Sequence, residues 1–560
     1  MAQGSSLSPS HGPTAAMISG FPLLETSPAL GEPGRTPLVW TRHEIQTGYA
    51  TLAEDSTVPR PRREAAKLLL AAEGHLNQEQ PEAALRAAED ALRQFQSLGD
   101  AGASADSLRV VLSAHRLKAF WSCDEEERKH SSEARAMQEL QKFRVAGEKR
   151  AEACLQLSLC ELLAGGDTSR AVRDKALEAA REAADLFQAV GDSNMAATAR
   201  VEMAFIYSAG SRPKAVVQAA KDALTAFEKL GNKEGMGRSL YAIALSHRMS
   251  DDFERAIKNG QEALSLLRDA KDQRSEAFML ETLGSWYIQQ GKPQRALAVA
   301  QEALTLRREL CCRPLQEARA LLLLVEALAG VGRVRRGLKA AEEGVARLKE
   351  AGDDRGVVYG LVVLAIAQLR RDHPELALSA CDEAVEIARE DLQDKRLEMC
   401  IQHTSVEVNI KLENKEDALE AAEEAAILAQ ELNNPKEEAD AERLLISILL
   451  RGVLDKHSLQ KALKSAVSMY ELNKQANCRS GMAAALVHRA TILGFDPESA
   501  DDMLQRATEA REIFEEEENI AGQSAAMRLI AEAFTAKEQY DEALQVTRER
   551  QQLWQELGER

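Results

Sequence analysis

The chain has 560 residues, of which 29% are charged and only 4% aromatic, and its formal net charge is −18. This acidic balance argues against nucleic acid as a partner, because nucleic-acid binding needs a basic face to replace the phosphate counterions. Acidic surfaces also repel anionic membranes, and no run reaches the roughly 18 apolar residues that a membrane span needs. The Ala15–Leu24 region lacks a basic flank, so we expect no secretory signal and a cytoplasmic protein.

The first 61 residues differ in composition from the rest of the chain. They hold eight of the fifteen prolines and six glycines, and they show no helical period. Such a segment cannot bury enough apolar surface to offset the entropy of ordering. We therefore predict a disordered Pro/Gly/Ser-rich tail over residues 1–61, with Leu38-Val39-Trp40 as a candidate linear motif near its end.

Residues 62–560 repeat one unit. Each unit has a second helix that carries a small or apolar residue at a fixed position, and most successive anchors lie 40 or 41 residues apart. The anchors are Ala84, Ser132, Ala176, Val216, Ala256, Ala296, Gly337, Ala377, Ala418, Leu459, Met503 and Ala543. Three wider gaps predict loop insertions near Cys123–Lys129, Gly165–Arg170 and Gly494–Ser499. A period held this closely is typical of a solenoid.

The clearest unit runs from Leu280 to Ala303. Its first helix places Leu280, Leu283, Gly284 and Tyr287 on one face, because positions three and four apart are neighbours on a helix. Gly291-Lys292-Pro293 follows as a turn. The second helix carries the small residues Ala296, Ala300 and Ala303. This pattern resembles the tetratricopeptide repeat, whose W-x2-L-G-x2-Y…A signature it matches with Leu280 in place of Trp.

The 40-residue period is similar to the long-period repeats of kinesin light chains and of spindle-orientation G-protein modulators. The resemblance covers about residues 63–560. It implies an all-α fold, a right-handed solenoid of about twelve helix pairs in which neighbouring pairs bury each other's apolar faces.

Motifs of catalysis are missing from the sequence. It contains no Walker loop, G-x-G-x-x-G, H-E-x-x-H or G-x-S-x-G, so we predict a protein that is not an enzyme and needs no cofactor or metal. None of the eight cysteines forms a C-x-x-C pair. The vicinal Cys311-Cys312 leaves two interpretations open, a redox or soft-metal site and two simple loop residues, of which the second is the more economical.

The resemblance implies a binding groove, because tetratricopeptide arrays line their concave face with first-helix residues that point away from the second helix. The residues at those positions are apolar, aromatic and arginine-rich for a surface. They are Val201, Phe205, Arg238, Tyr241, Leu245, Arg248, Phe278, Glu281, Ser285, Ile288, Arg319, Glu326, Tyr359, Val362, Ile366 and Leu369. Exposed apolar patches rimmed by charge commonly mark interaction sites. The alternative is that tight superhelical packing buries several of them.

The aromatic groove residues and their neighbouring arginines are the predicted anchors of binding energy, namely Phe205, Tyr241, Tyr359, Arg238, Arg248 and Arg319. The carboxylate clamp of chaperone-binding repeats needs Lys-x-x-x-Asn, whereas the first two corresponding pairs here are Val201/Phe205 and Tyr241/Leu245. The sequence therefore favours a non-catalytic scaffold or adaptor that binds a peptide or helical protein segment in its groove. A regulatory repeat protein that senses a small molecule is the alternative.

Overall fold

The computed structural model describes residues 43–559 except 79, 122–124, 165–169, 210–211, 251, 311–313, 452–454 and 518. The predicted tail up to residue 42, including Trp40, and the Cys311-Cys312 pair lie outside the described residues. Within them the chain forms twenty-five α-helices. The predicted all-α class is confirmed.

The first helix, α1 (His43–Glu54), precedes an unbroken series of pairs. The first six pairs are α2 (Arg60–Asn77) and α3 (Pro81–Ser97), α4 (Ala101–Trp121) and α5 (Glu125–Ala146), α6 (Lys149–Ala164) and α7 (Arg170–Ala189), α8 (Ser193–Ala209) and α9 (Pro213–Leu230), α10 (Lys233–Met249) and α11 (Phe253–Ala270), and α12 (Gln273–Gln289) and α13 (Pro293–Glu309).

The last six pairs are α14 (Pro314–Gly330) and α15 (Val334–Glu350), α16 (Asp354–Arg370) and α17 (Pro374–Glu386), α18 (Lys395–Lys411) and α19 (Lys415–Glu431), α20 (Pro435–Leu449) and α21 (Lys456–Gln475), α22 (Arg479–Leu493) and α23 (Ala500–Glu516), and α24 (Ile520–Ala536) and α25 (Tyr540–Glu559). A single π-helical turn, Ile387–Asp391, continues α17, and a 3₁₀ turn, Pro497–Ser499, precedes α23. The described part of the chain thus confirms the prediction of about twelve pairs.

The chain becomes helical earlier than the predicted boundary at residue 62. Helix α1 buries Ile45 and Ala53 in the first core cluster, and the Tyr49 hydroxyl donates a hydrogen bond to Asp106 Oδ2 at 2.8 Å. Ile45, Tyr49 and Ala53 recur every four residues, which is the spacing of one helix face. Residues 43–61 therefore differ from the disordered tail expected for them, because this short apolar stripe has the first pairs to pack against.

Local sequence explains where the helices begin and end. Several second helices, such as α9 and α13, start with a proline, which needs no N–H partner there. Asn232 and Asp353, before α10 and α16, cap them by accepting a hydrogen bond from the backbone N–H three residues on. Gly231 closes α9 with φ 67°, a left-handed conformation that glycine adopts without strain.

One predicted anchor is displaced in the structure. In α21 the fully buried small residue is Ala462, three residues after the predicted Leu459, which is only half-buried. The spacing is then 462 − 418 = 44 followed by 503 − 462 = 41. The extra residues therefore precede α21, and the insertion predicted near Gly494–Ser499 lies one pair too late. The 3₁₀ turn Pro497–Ser499 does not lengthen the spacing between the anchors Ala462 and Met503, which stays at 41 residues.

The pairs build two layers. Successive first helices, such as α12, α14 and α16, pack directly on one another, whereas successive second helices in the described residues contact each other little. An array whose first helices approach more closely bends toward them, so the first helices form the inner layer. The largest hydrophobic cluster runs along this layer from Tyr241 in α10 to Val408 in α18. No helix in the described ranges has the length and apolar character to cross a membrane.

Candidate functional site on the inner face of the first helices

Every predicted groove residue lies on a first helix between α8 and α16. The structure places them at two depths. Nine are buried: Val201, Arg238, Tyr241, Phe278, Ser285, Glu326, Tyr359, Val362 and Ile366. Seven are half-buried: Phe205, Leu245, Arg248, Glu281, Ile288, Arg319 and Leu369. The side chains that remain within reach of a partner therefore belong to the second set.

Burial of the first set follows from how closely the first helices pack. Helix α16 is buried almost continuously from Gly356 to Gln368, with only Leu364 half-buried. Val362 and Ile366 belong to the central hydrophobic cluster and are 0% and 1% exposed. Both offer no area to a ligand in this structure. In α16, superhelical packing therefore buries the predicted groove residues Val362 and Ile366, which is the alternative that the sequence analysis left open.

Aromatic side chains form a ladder across three first helices. Phe205 of α8 and Tyr241 of α10 have ring centroids 5.9 Å apart. Tyr241 and Phe278 of α12 meet edge to face at 5.4 Å, a preferred aromatic geometry. Burial raises the pKa of the Tyr241 hydroxyl above its usual range. The ladder thus runs from the half-buried Phe205 into the core.

Charged residues of the inner face are mostly paired within the chain. The Arg238 guanidinium bonds to Glu202 of α8, where burial raises the pKa of the Glu202 carboxyl and Arg238 opposes that rise. Arg307 of α13 donates two hydrogen bonds to Glu281, at 2.7 and 3.2 Å. Because bidentate pairs fix both partners, these charges rigidify the inner layer more than they recruit a ligand.

Further along, Arg370 donates to Glu326 at 2.8 Å. Toward the N-terminal pairs, Arg109 of α4 bonds to Glu161 of α6 at 3.1 Å, and Arg116 donates to the Glu161 carbonyl at 2.9 Å. The inner layer is therefore crossed by ion pairs at both ends of the aromatic ladder.

Arg248 is the best-placed cation for contact with a partner. It is half-buried, donates to Gln289 Oε1 at 2.7 Å, and lies 4.4 Å from the centre of the Phe253 ring. Stacking on an aromatic ring holds a guanidinium in place. Leu245, one turn earlier on α10, is half-buried beside it. Together they present an apolar and a cationic group on one helix face.

Sequence analysis missed three residues in or against the inner layer. Glu202, which is half-buried, and Arg307, which is 3% exposed, complete the ion pairs of predicted residues, but neither lies at a groove position of the repeat. His403 of α18 is 6% exposed, and burial lowers its pKa to about 4. The signal for His403 is its position in the repeat: it lies 403 − 362 = 41 residues, or one repeat, after Val362 and four repeats after Tyr241, where the pattern places an inner residue.

Residues 235–309 match the family model for the tetratricopeptide repeat. This range covers α10 to α13 and includes the unit that the sequence singled out, so the prediction of tetratricopeptide-type repeats is confirmed. No curated protein matches the chain.

Several solved structures are similar at low identity. The putative kinesin light chain repeats of Podosopora anserina share 14% identity over 35% of this chain and 96% of that chain, with a TM-score of 0.31. BtubC from P. vanneervenii shares 16% over 39% and 90%, with a TM-score of 0.34. The apo quorum sensor NprR from B. thuringiensis shares 12% over 64% and 98%, with a TM-score of 0.38.

Proposed function

We propose that this chain is a non-catalytic scaffold whose inner face binds an extended or helical segment of another protein. One observation carries the proposal. Four of the five first helices from α8 to α16 each contribute a half-buried apolar side chain to the inner face, and α10 and α14 each add a half-buried arginine. These are Phe205, Leu245, Ile288 and Leu369, with Arg248 and Arg319.

Half-buried apolar side chains of this kind suit a partner segment. Each still has apolar area to lose on contact, at about 25 cal/mol per Å², while its buried part fixes its conformation in advance. Pre-organised aromatic and arginine side chains dominate interface energies for that reason. An acidic partner segment would be drawn to Arg248 and Arg319 despite the negative total charge, because the local potential steers docking.

The proposal is tested by affinity capture with a double variant, Phe205→Ala with Leu245→Ala. We expect the wild type to recover a specific protein that the variant loses. The matched control is Leu376→Ala with Ile427→Ala, on the second helices α17 and α19, where both side chains are more than half exposed. Equal recovery by all three proteins would place binding elsewhere. Circular dichroism must show unchanged helicity in the double variant.

The alternative of a small-molecule sensor has less support. A pocket lined by Arg173, Leu177 and Tyr207 has a cavity volume of only about 10 Å³, far below the roughly 300–1,000 Å³ typical of ligand sites. A thermal-shift screen with metabolites discriminates the two functions. A large stabilisation by a small molecule, with no protein captured by the wild type, would favour the sensor.

A further inference from the structure

Two helix ends that are far apart in the sequence meet in the structure. The carboxyl end of α23 lies against the amino end of α7. The Arg170 backbone N–H donates to Glu517 Oε2 at 3.0 Å, and Arg170 Nη1 donates to the Glu516 carbonyl at 2.9 Å. Arg173 Nη2 donates to the Glu517 carbonyl at 3.0 Å. Because α7 is in the third pair and α23 in the eleventh, this junction joins parts of the solenoid that are 11 − 3 = 8 pairs apart.

The junction is chemically complementary. The first turn of a helix leaves backbone N–H groups without intrahelical partners, and the last turn leaves carbonyls without them. Here the Glu517 carboxylate accepts the first N–H of α7, and two arginines of α7 supply donors to the last carbonyls of α23. The opposite ends of the two helix dipoles favour the same arrangement. Each helix end thus satisfies groups that the other leaves open.

Glu517 is held from its own side as well. Arg479 of α22 pairs with Glu516, and its Nε lies 4.0 Å from Glu517 Oε1. Glu517 is only 5% exposed, although the sequence shows it in an acidic run typical of a solvated helix end. Burying a carboxylate costs free energy unless nearby positive charges and hydrogen-bond donors compensate for the lost hydration. At Glu517 they come from both sides of the junction.

A second long-range contact joins other pairs. Arg274 Nη1, at the start of α12, donates to the carbonyl of Leu76 near the end of α2, at 3.2 Å. This bond connects the sixth pair with the first. Both contacts use arginine donors on helix-end carbonyls, so the solenoid is tied to itself at two places by the same chemistry.

We propose that Arg170, Arg173, Glu516 and Glu517 form a latch that holds the superhelix closed and restricts access to its inner face. This inference rests on the proposed function, in which the inner face binds a protein segment. A solenoid changes shape through small rotations at each interface between neighbouring pairs. A contact between pairs that are far apart in the array therefore limits how far the whole superhelix can open through these small rotations. The half-buried Phe205 and Leu245 lie in the two pairs that directly follow α7, inside the latched turn.

The latch is built to open. Its bonds involve few groups, several of them half-exposed, and salt screens such charges. A partner that binds the open form more tightly shifts the population toward it without any other energy source. Binding at the inner face and release of the latch are then coupled.

The test uses the full chain and two latch variants, Arg170→Ala with Arg173→Ala, and Glu517→Gln. The matched control is Arg93→Ala with Arg255→Ala, two exposed arginines that pair only with an acid three residues away. At low salt we expect both latch variants to show a larger radius of gyration by X-ray scattering, close to that of the wild type in 1 M salt. We also expect at least tenfold faster amide exchange at the start of α7, or about 1.4 kcal/mol of lost protection. The control should keep wild-type values.

An unchanged radius and unchanged exchange in both latch variants would overturn the latch. If the double variant loses helicity, the radius and exchange of Glu517→Gln test the latch instead. If Glu517→Gln also unfolds, the wild type in increasing salt is the test. A radius of gyration that does not increase with salt would then contradict the latch. Higher partner recovery by the latch variants supports control of access, whereas equal recovery from an expanded chain overturns that control. If the latch variants expand but neither the wild type nor any variant recovers a partner, the latch still holds the superhelix closed. That result would refute the proposed function and, with it, control of access to the inner face.

Discussion

Single glycines determine how closely the helices of this solenoid approach one another. A Cβ built on Gly235, in the first turn of α10, would lie 2.5 Å from Cδ1 of Phe227, which is 1% exposed. Gly522 stands in the same relation to Phe514, at 2.4 Å. In both cases the phenylalanine precedes the glycine by eight residues and an asparagine cap lies between them. The aromatic ring therefore packs where a side chain would otherwise stand.

This contact gives a prediction for Gly235→Ala. We expect the substitution to lower the stability by about 1–3 kcal/mol, because the ring has to move within a packed core. The control is Gly74→Ala in α2, where no atom lies within 4 Å of the added Cβ and the better helix propensity should add up to about 1 kcal/mol. Urea unfolding followed by circular dichroism measures both. Equal destabilisation of the two variants would show that the ring contact is unimportant.

His403 makes stability depend on pH in a defined direction. Its pKa of about 4 in the folded chain lies below the ordinary value of 6.5, owing first to burial and then to the opposing effects of Asp440 and Arg443. The unfolded chain therefore binds the proton more readily. The contribution of His403 is fully present above pH 6.5 and is lost as the pH falls from 6.5 toward 4.

We expect the wild type to lose about 2 kcal/mol more stability than His403→Gln between pH 7.5 and pH 5. Urea unfolding of both proteins at the two pH values measures the difference, which cancels the shared titration of carboxylates. Identical pH dependence would mean that His403 is solvated in the folded chain.

At the scale of helices, the caps are the feature that recurs. Asp353 accepts a hydrogen bond from the Gly356 backbone N–H at 2.9 Å at the start of α16, and Asp272 and Asp394 cap α12 and α18 in the same way. A cap replaced by alanine typically costs about 1 kcal/mol. The caps thus fix the start of the first helices that form the inner layer.

Asp353→Ala should therefore lower stability by about 1 kcal/mol and speed amide exchange in the first turn of α16. His373→Ala is the matched change, because His373 occupies the cap position of α17 without a side-chain bond to the helix. We expect it to have a much smaller effect. Similar exchange in the two variants would argue against the cap.

The helices and their period could be predicted from the sequence, because apolar spacing, prolines and capping residues act over a few positions. How deeply each groove residue is buried on the inner face could not be predicted from the sequence. Val201 and Phe205 both occupy predicted groove positions, yet one is fully buried and the other half-buried, since neighbouring helices determine how much of each is covered. The shift from Leu459 to Ala462 has a similar cause, because an apolar residue at the expected spacing masked the inserted residues. The contact of Arg170 with Glu517 spans 347 residues and leaves no local pattern.

At the scale of the whole molecule, stability is distributed along the array. The central cluster reaches from α10 to α18, whereas α25 exposes Tyr540, Leu544 and Trp554. Repeat arrays of this kind open locally from less stable ends. The inner layer around α14 and α16 should be the last part to open.

Hydrogen exchange followed by mass spectrometry checks this expectation. Peptides from α14 and α16 should exchange most slowly, and those from α25 should exchange at least tenfold faster, a difference of about 1.4 kcal/mol. Uniform exchange from α2 to α25 would indicate a single cooperative unit.

The central claim, that the inner face binds a protein segment, is tested most directly by the dissociation constant of a peptide selected on the wild-type chain from a displayed peptide library. Calorimetry would compare the wild type, Phe205→Ala with Leu245→Ala, and the outer control Leu376→Ala with Ile427→Ala. The inner-face proposal predicts roughly thirtyfold weaker binding, or about 2 kcal/mol, for the first variant and no change for the control. Equal affinities for all three proteins, or a loss confined to the outer control, would contradict it.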